Sequence, residues 1–294
     1  MNHLERVVVL GASGWVGRTA CNWLNEMGTE LLLFAGRNRS ETIGKSTFRF
    51  YTFDQKKIKD FKPTAVIDAA FITREKVVAF PLSNYIQMNT ELIEQGLELQ
   101  RLSSVEKFIG ISSGASVPHL TPGHPELEVD PYGALKATYE ERLIENPDLR
   151  AKTTIGRIWS VSGDLVTKPA MFAFSSLIQQ ALVGHIDIHA MHRIWRRYVD
   201  LEDFLKVVTL SSPGDSRVID SGGRLVEIHK LAELIFSELK IAPSISRNLA
   251  PASSDDLYYS NGTTWEEAVK KIQFAPLTLE QQISKVLAAL RAEP

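Results

Sequence analysis

The stretch Arg6-Val7-Val8-Val9-Leu10-Gly11-Ala12-Ser13-Gly14-Trp15-Val16-Gly17 decides the fold. A short apolar, β-branched run leads straight into a turn with three glycines, and helical spacing follows from Val16 to Met27. A strand buried on both faces reads as a continuous apolar run, not an alternating one. Glycines permit the tight turn, let the backbone approach a pyrophosphate, and let the helix pack against the strand. The helix start then offers unpaired N–H groups and the positive end of a dipole to phosphate. Three glycines alone also mark ordinary turns, but the strand–turn–helix context lifts Gly11, Gly14 and Gly17 above that. With Ser13, Trp15 and Val16 they are the candidate dinucleotide contacts.

Outward from this stretch the pattern repeats. Apolar runs at Glu30–Ala35, Phe48–Phe53, Ala65–Ala70, Phe108–Ser112 and Thr153–Val161 alternate with helical stretches near Asn84–Leu102 and Pro131–Glu145. Such alternation predicts βαβ units and a parallel sheet, an α/β doubly wound Rossmann architecture. The second half is less regular. Phe172–Val183, Leu225–Leu239 and Leu279–Arg291 read as helices, and Arg217–Asp220 as a strand returning to the sheet. The Pro-containing stretch Ala242–Ser254 breaks the pattern. Residues 1–162 are expected to form the dinucleotide domain, with 196–240 returning to it. Residues 163–195 and 241–294 then form a smaller, partly interleaved C-terminal substrate region.

Composition narrows the class. The 294 residues are 44% hydrophobic and 23% charged, close to a soluble globular average, which excludes disorder as the main state. Lysines and arginines number 33 against 35 acidic residues, so no charge excess argues for nucleic acid or an anionic membrane. Neither a secretory signal nor a run of about 20 apolar residues is present, and a cytoplasmic location is expected. The single cysteine, Cys21, forbids an internal disulfide and reads as a small core residue in a reducing compartment.

Cofactor choice is usually read about 20 residues beyond the glycines, where an acidic residue holds the ribose 2′-hydroxyl of NAD. Here Arg37 stands 20 residues after Gly17, within Gly36-Arg37-Asn38-Arg39, and no carboxylate occurs before Glu41. A guanidinium suits a 2′-phosphate by charge and fork geometry, so NADP(H) is preferred and NAD(H) is possible. The alternative is a solvated basic loop. Further along, Asp130-Pro131-Tyr132-Gly133-Ala134-Leu135-Lys136 supplies an N-cap, a first-turn proline, and a Tyr–Lys pair on one helix face. A nearby ammonium favours phenolate and lowers a tyrosine's pKa from about 10, which makes Tyr132 a usable acid/base. Ser112-Ser113-Gly114 ends the preceding strand, with Ser113 19 residues before Tyr132. A hydroxyl at a strand's carboxyl end can hydrogen-bond a carbonyl oxygen as charge develops.

In that order of motifs the chain resembles the extended short-chain dehydrogenase/reductase family of nucleotide-sugar epimerases, dehydratases and ketoreductases. The resemblance spans almost the whole chain. It runs through the glycine turn, Asp54, Val66-Ile67-Asp68-Ala69-Ala70, Asn89, Ser113, Tyr132 and Lys136, then Arg157–Gly163 and Arg196–Asp203. It implies that Asp54 meets the adenine and that Ala69, Ala70 and Phe71 line the cofactor trough. Ser113 would polarise the substrate carbonyl, with slippage to Ser112 left open. Tyr132 would be the acid/base, Lys136 would hold the nicotinamide ribose, and Asn89 would support the helix and a proton-relay water. Arg196 would contact a nucleotide pyrophosphate. Ser160 stands where many relatives have asparagine, and Asp200 where many have histidine, which opens the substrate's identity. Gly114-Ala115 replaces the Asp-Glu pair of sugar dehydratases, which argues against water elimination.

The reading is an NADPH-dependent reductase of a carbonyl, the 4-keto group of a nucleotide-activated deoxysugar. Its alternatives are an epimerase with retained NAD and a non-catalytic NADP sensor. The family further implies a homodimer through the helices near 84–102 and 131–145. His185, Asp187 and His189 alternate as on a strand face, so no metal site is expected. Trp159, Trp195 and Tyr198 could stack on a substrate base or pack in the core.

Overall fold

The structure, a computed structural model, describes residues 4–123, 125–212, 217–250 and 254–292. It divides into two compact units, residues 1–158 with 205–219, and residues 159–204 with 220–294.

Unit 1 begins with β1 (Arg6–Leu10), α1 (Trp15–Glu26), β2 (Glu30–Phe34), β3 (Arg39–Ile43) and β4 (Ser46–Tyr51). It continues with α2 (Gln55–Phe61), β5 (Ala65–Asp68), α3 (Leu82–Gln100), β6 (Lys107–Ser113), α4 (Pro131–Glu145), α5 (Pro147–Arg150) and β7 (Thr153–Ile158). Val7, Val8 and Val9 are wholly buried, as a central parallel strand requires. β1 pairs in parallel with β2 and with β5, β5 with β6, and β6 with β7. Leu10, Phe34, Phe108, Leu97, Tyr139 and Leu143 join one core between sheet and helices.

Within unit 1 one strand, β3, escapes the sequence reading. β4 pairs in parallel with β2, but β3 folds back on β4 as an antiparallel edge. Its residues Arg-Ser-Glu-Thr-Ile bury only Ile43, so it has no apolar run to detect. The sheet order is β11-β7-β6-β5-β1-β2-β4-β3, where β11 is Val218–Asp220, the strand expected to return.

Unit 2 contains β8 (Val161–Ser162), α6 (Ala173–Leu182), β9 (Ile186–Ile188) and β10 (Ile194–Asp200), and α7 (Leu201–Leu210) follows. After β11 come β12 (Arg224–Glu227), α8 (Ile228–Leu239), β13 (Ile245–Arg247), β14 (Asp256–Leu257), α9 (Thr263–Lys271) and α10 (Leu279–Ala292). Phe174, Ile178, Leu231, Ile235, Ile283 and Val286 build its core. The expected return of 196–240 to the dinucleotide unit is narrower here and covers only 205–219. The physical reason is pairing. β10 hydrogen-bonds β8, β12 and β14, which keeps both flanks of the segment in unit 2. Tyr198 is buried against Phe174 at 5.0 Å, so it packs in that core.

Ile93, Leu97 and Leu99 of α3 and Tyr139 and Leu143 of α4 pack in unit 1's own core, while Ile144 is exposed. Outward the two helices show polar groups such as Thr90, Glu91, Thr138 and Glu141, with an ion pair between Glu94 and Arg142. Among the described residues no helix is long and apolar enough to cross a membrane.

Candidate active site

The glycine turn has the geometry its spacing implies. Gly11 adopts φ +70°, and a Cβ there would lie 2.6 Å from the Ala69 carbonyl oxygen. A Cβ on Gly17 would overlap the Gly11 carbonyl and Ala12. Gly14 caps α1 and is exposed, so its backbone is open to a ligand at the helix start. Leu10, Gly11, Ser13 and Gly14 form one wall of a cleft of about 490 Å³. Phe34, Ala35, Gly36, Thr52 and Phe53 form its far end, and Ala69, Ala70, Phe71 and Ile72 its floor. An apolar trough at a helix N-terminus fits a dinucleotide. Trp15, Val16 and Gly17 start α1 beside the cleft without lining it.

Introducing Gly17→Val forces side-chain atoms into backbone. Overpacking of this kind costs about 1–3 kcal/mol. A dinucleotide fluorescence titration should therefore show Kd weakened by about tenfold or more.

Asp54 lies just past Phe53, and its carboxylate caps α2 by accepting from the Lys56 and Lys57 N–H groups at 2.9 and 3.1 Å. The lining at that end comes from Thr52 and Phe53 instead. Asn89 is fully buried. Its Oδ1 accepts from the Ile72 N–H at 2.7 Å, and its Nδ2 donates to the Tyr85 carbonyl at 3.2 Å. The amide thus pins the trough floor to α3, a positioning role that leaves its oxygen committed to backbone.

Phe71 is where the chemical groups converge. Its ring meets Tyr132 edge-on at 5.6 Å, and the Lys136 Nζ sits 3.9 Å from its centroid. Lys136 is buried and donates to the Ile111 carbonyl at 2.8 Å. Arg74, which the sequence reading did not single out, lies over the Tyr132 ring at 5.6 Å and pairs with Asp130 at 2.9 Å. Asp130 also accepts from the Gly133 N–H, which fixes the start of α4.

The two serines separate cleanly. Ser112 Oγ donates to Glu140 at 2.5 Å, and Ser116 Oγ does so at 2.6 Å. Arg157 completes the cluster, with Nη2 2.6 Å from the same carboxylate. Ser113 ends β6; its Oγ accepts from the Ala115 N–H at 3.2 Å, and its carbonyl accepts from the Ser116 hydroxyl at 2.8 Å. The structure thus brings Ser113 to the strand end and commits Ser112 to the interior.

At the cleft's far end Arg37 is exposed directly after Gly36. Beside it lies a second concavity of about 460 Å³, lined by Asn38, Arg39, Ser40, Arg49, Phe50, Tyr51 and Lys57. Arg49 and Lys57 both lie over the Tyr51 ring, at 5.2 and 4.6 Å. Glu41 is held by Arg18 and Arg39.

In unit 2, Arg196 is bound by Asp256 at 2.7 Å and lies over Tyr258 at 5.4 Å. Trp159 packs on the same Tyr258 at 5.0 Å and donates to Asp220, and Ser160 beside it is half-buried. Trp195 donates to Asp255. Asp200 is buried, caps α7 and pairs with Lys285 at 3.1 Å. Along β9, Ile186 and Ile188 are buried while His185, Asp187 and His189 face outward. No described group of three ligating side chains is arranged to hold a metal. Cys21 is buried, and burial pushes its thiol up to about 12.

With this geometry in view, the likenesses are specific. The family model described as NAD dependent epimerase/dehydratase family matches residues 7–213. The UDP-glucose 4-epimerase of Thermus thermophilus, solved with NAD, superposes with a TM-score of 0.74 at 18% identity, covering 99% of this chain and 100% of that one. The UDP-N-acetylglucosamine 4-epimerase of Methanobrevibacter ruminantium, solved with UDP-N-acetylmuramic acid, gives 0.74 at 19%, covering 100% of each chain. The UDP-glucose 4-epimerase of Thermotoga maritima, solved with UDP-glucose, gives 0.70 at 18%, covering 98% and 99%. No curated protein matches the chain in sequence. The chain belongs to the NAD dependent epimerase/dehydratase family, of the extended short-chain dehydrogenase/reductase type. It is accordingly an NAD(P)-dependent enzyme.

Proposed function

We propose that the enzyme reduces the 4-keto group of a nucleotide-activated deoxysugar with NADPH. The observation that carries this reading is the convergence of Tyr132 and Lys136 on Phe71, in the floor of the dinucleotide cleft. When bound, the dinucleotide supplies hydride. Gly11, Ser13 and Gly14 would hold its pyrophosphate, and Ala69, Ala70 and Phe71 its nicotinamide half. Tyr132 donates its phenolic proton to the carbonyl oxygen as negative charge develops there. Ser113 donates a hydrogen bond to the same oxygen. Arg74 places positive charge over the Tyr132 ring, and Lys136 lies against Phe71, which Tyr132 meets edge-on. Arg196 would meet a substrate pyrophosphate by exchanging Asp256 for it, with Ser160 nearby in sequence as a second contact.

Preference for NADP rests on the basic end of the cleft. Arg37, Arg49 and Lys57 form no salt bridge among the described residues, while Glu41 is tied to two arginines and is a poor acceptor for a ribose diol. A charge-assisted hydrogen bond contributes about 1.5–3 kcal/mol. NADPH should therefore bind about tenfold or more tightly than NADH in a titration, and Arg37→Ala should erase much of that margin. The likeness to 4-epimerases, one of them solved with NAD, favours a second reading, an epimerase with retained NAD. One experiment separates them. Nucleotide released by denaturing the purified protein is identified, and NADPH oxidation is followed with a nucleotide 4-keto-6-deoxyhexose. Stoichiometric oxidation supports the reductase. Tightly held NAD with sugar interconversion and no net oxidation replaces it with the epimerase.

A further inference from the structure

We propose that Asp68 is the counter-ion of Lys136, a positioning residue that keeps the buried ammonium charged beside Tyr132. This rests on the reading that Lys136 serves Tyr132.

Asp68 ends β5 and is 3% exposed. Its Oδ1 accepts from the Ala70 N–H at 3.1 Å, in the trough floor, and its Oδ2 accepts from the Tyr139 hydroxyl at 2.6 Å. The register pairs Asp68 with Gly110, and the next residue, Ile111, offers the carbonyl that receives Lys136. Lys136 Nζ lies 5.5 Å from the Tyr139 ring centroid. Acid, phenol and ammonium thus share one enclosed space between β5, β6 and α4.

That space is built. A Cβ on Gly96 of α3 would overlap the Asp68 carboxylate. A Cβ on Gly110 of β6 would come within 3.0 Å of the Tyr139 hydroxyl and 2.5 Å of Leu143. Two elements therefore carry glycine where the Asp68–Tyr139 pair sits. A buried carboxylate is costly without a compensating charge. Asp68 forms no direct salt bridge among the described residues; the Tyr139 hydroxyl and the Ala70 N–H compensate its charge first, and Lys136 adds to them through space. The ionisable groups acting on Lys136 are Asp68 from β5 and Glu140 from its own helix, with the Tyr139 ring centroid 5.5 Å from its Nζ. Glu140 is already ion-paired with Arg157 and accepts from Ser112 and Ser116, whereas Asp68 is held by the neutral donors Ala70 and Tyr139. Burial pushes the Asp68 carboxyl up to about 6 and the Lys136 ammonium down to about 8, and each opposes the other's shift.

The test is a pair of reciprocal titrations on the full chain by carbon-13 NMR of labelled lysine and aspartate, with Lys136→Arg and Asp68→Glu assigning the signals. Asp68→Asn removes the negative charge that raises Lys136. The Lys136 midpoint should then fall by about 1 unit or more below the wild-type value. Lys136→Met removes the cation, and linkage requires the Asp68 midpoint to rise by a similar amount. A change under about 0.3 unit in both variants overturns the proposal and leaves Asp68 a structural residue. Should Asp68→Asn not fold, Lys136→Met alone decides, by the same limit. No substrate enters the readout, so failure of the reductase reading leaves this result intact, and the converse holds.

Discussion

Tyr132→Phe should turn over a nucleotide keto-sugar at least ~100-fold more slowly than the wild type, the usual contribution of a positioned acid–base group. The variant loses one oxygen and keeps the ring, so its contacts with Phe71 and Arg74 persist. NADPH affinity should change by less than about threefold, because the loss falls on the reacting carbonyl and not on the ground-state complex. The neighbouring serines sharpen the test. Ser113→Ala should lower turnover at little cost in stability. Ser112→Ala should do the reverse, since its hydroxyl ties β6 to Glu140 of α4 in the interior. Stopped-flow measurement of NADPH oxidation reads the first effect and thermal melting the second. Wild-type turnover in Tyr132→Phe would remove the phenol from the mechanism.

Glu140→Ala should be the most destabilising single change in unit 1. The carboxylate is 3% exposed and receives Arg157, Ser112 and Ser116 at once. Removing it takes the Glu140 carboxylate from a largely buried guanidinium and from the Ser112 hydroxyl, while Ser116 keeps the Ser113 carbonyl as acceptor. Breaking one side of a buried ion pair costs about 3–5 kcal/mol. For a unit of this size that lowers Tm by about 10 °C. The double variant Glu140→Leu with Arg157→Leu should recover part of the loss, because an apolar pair needs no compensation. A melt of Glu140→Ala indistinguishable from wild type would show that the cluster contributes nothing to folding.

Much of the site was legible because its parts are local. Gly11 to Gly17 and Asp130 to Lys136 each lie within a single turn–helix segment, so spacing alone sets their faces. Other parts join residues far apart in the chain. Arg74 reaches Tyr132 across 58 positions, and Asp68 reaches Tyr139 across 71. No periodicity records such meetings. The hairpin partner β3 was illegible for a different reason, since an edge strand with one buried side chain looks like a loop. Arg196 adds a partner that its motif does not record. Its motif reads as a cation awaiting phosphate, but Asp256, 60 residues on, already binds it.

The sequence by itself determined the doubly wound class, the dinucleotide turn and the Tyr–Lys helix face, because apolar runs and helical spacing act over a few residues. Only the tertiary structure decided that the Ser112 hydroxyl binds Glu140, which carboxylate faces Lys136, and where the chain passes between its two units. Those outcomes depend on strand register and on burial, and both arise only when distant segments pack and water is excluded between them.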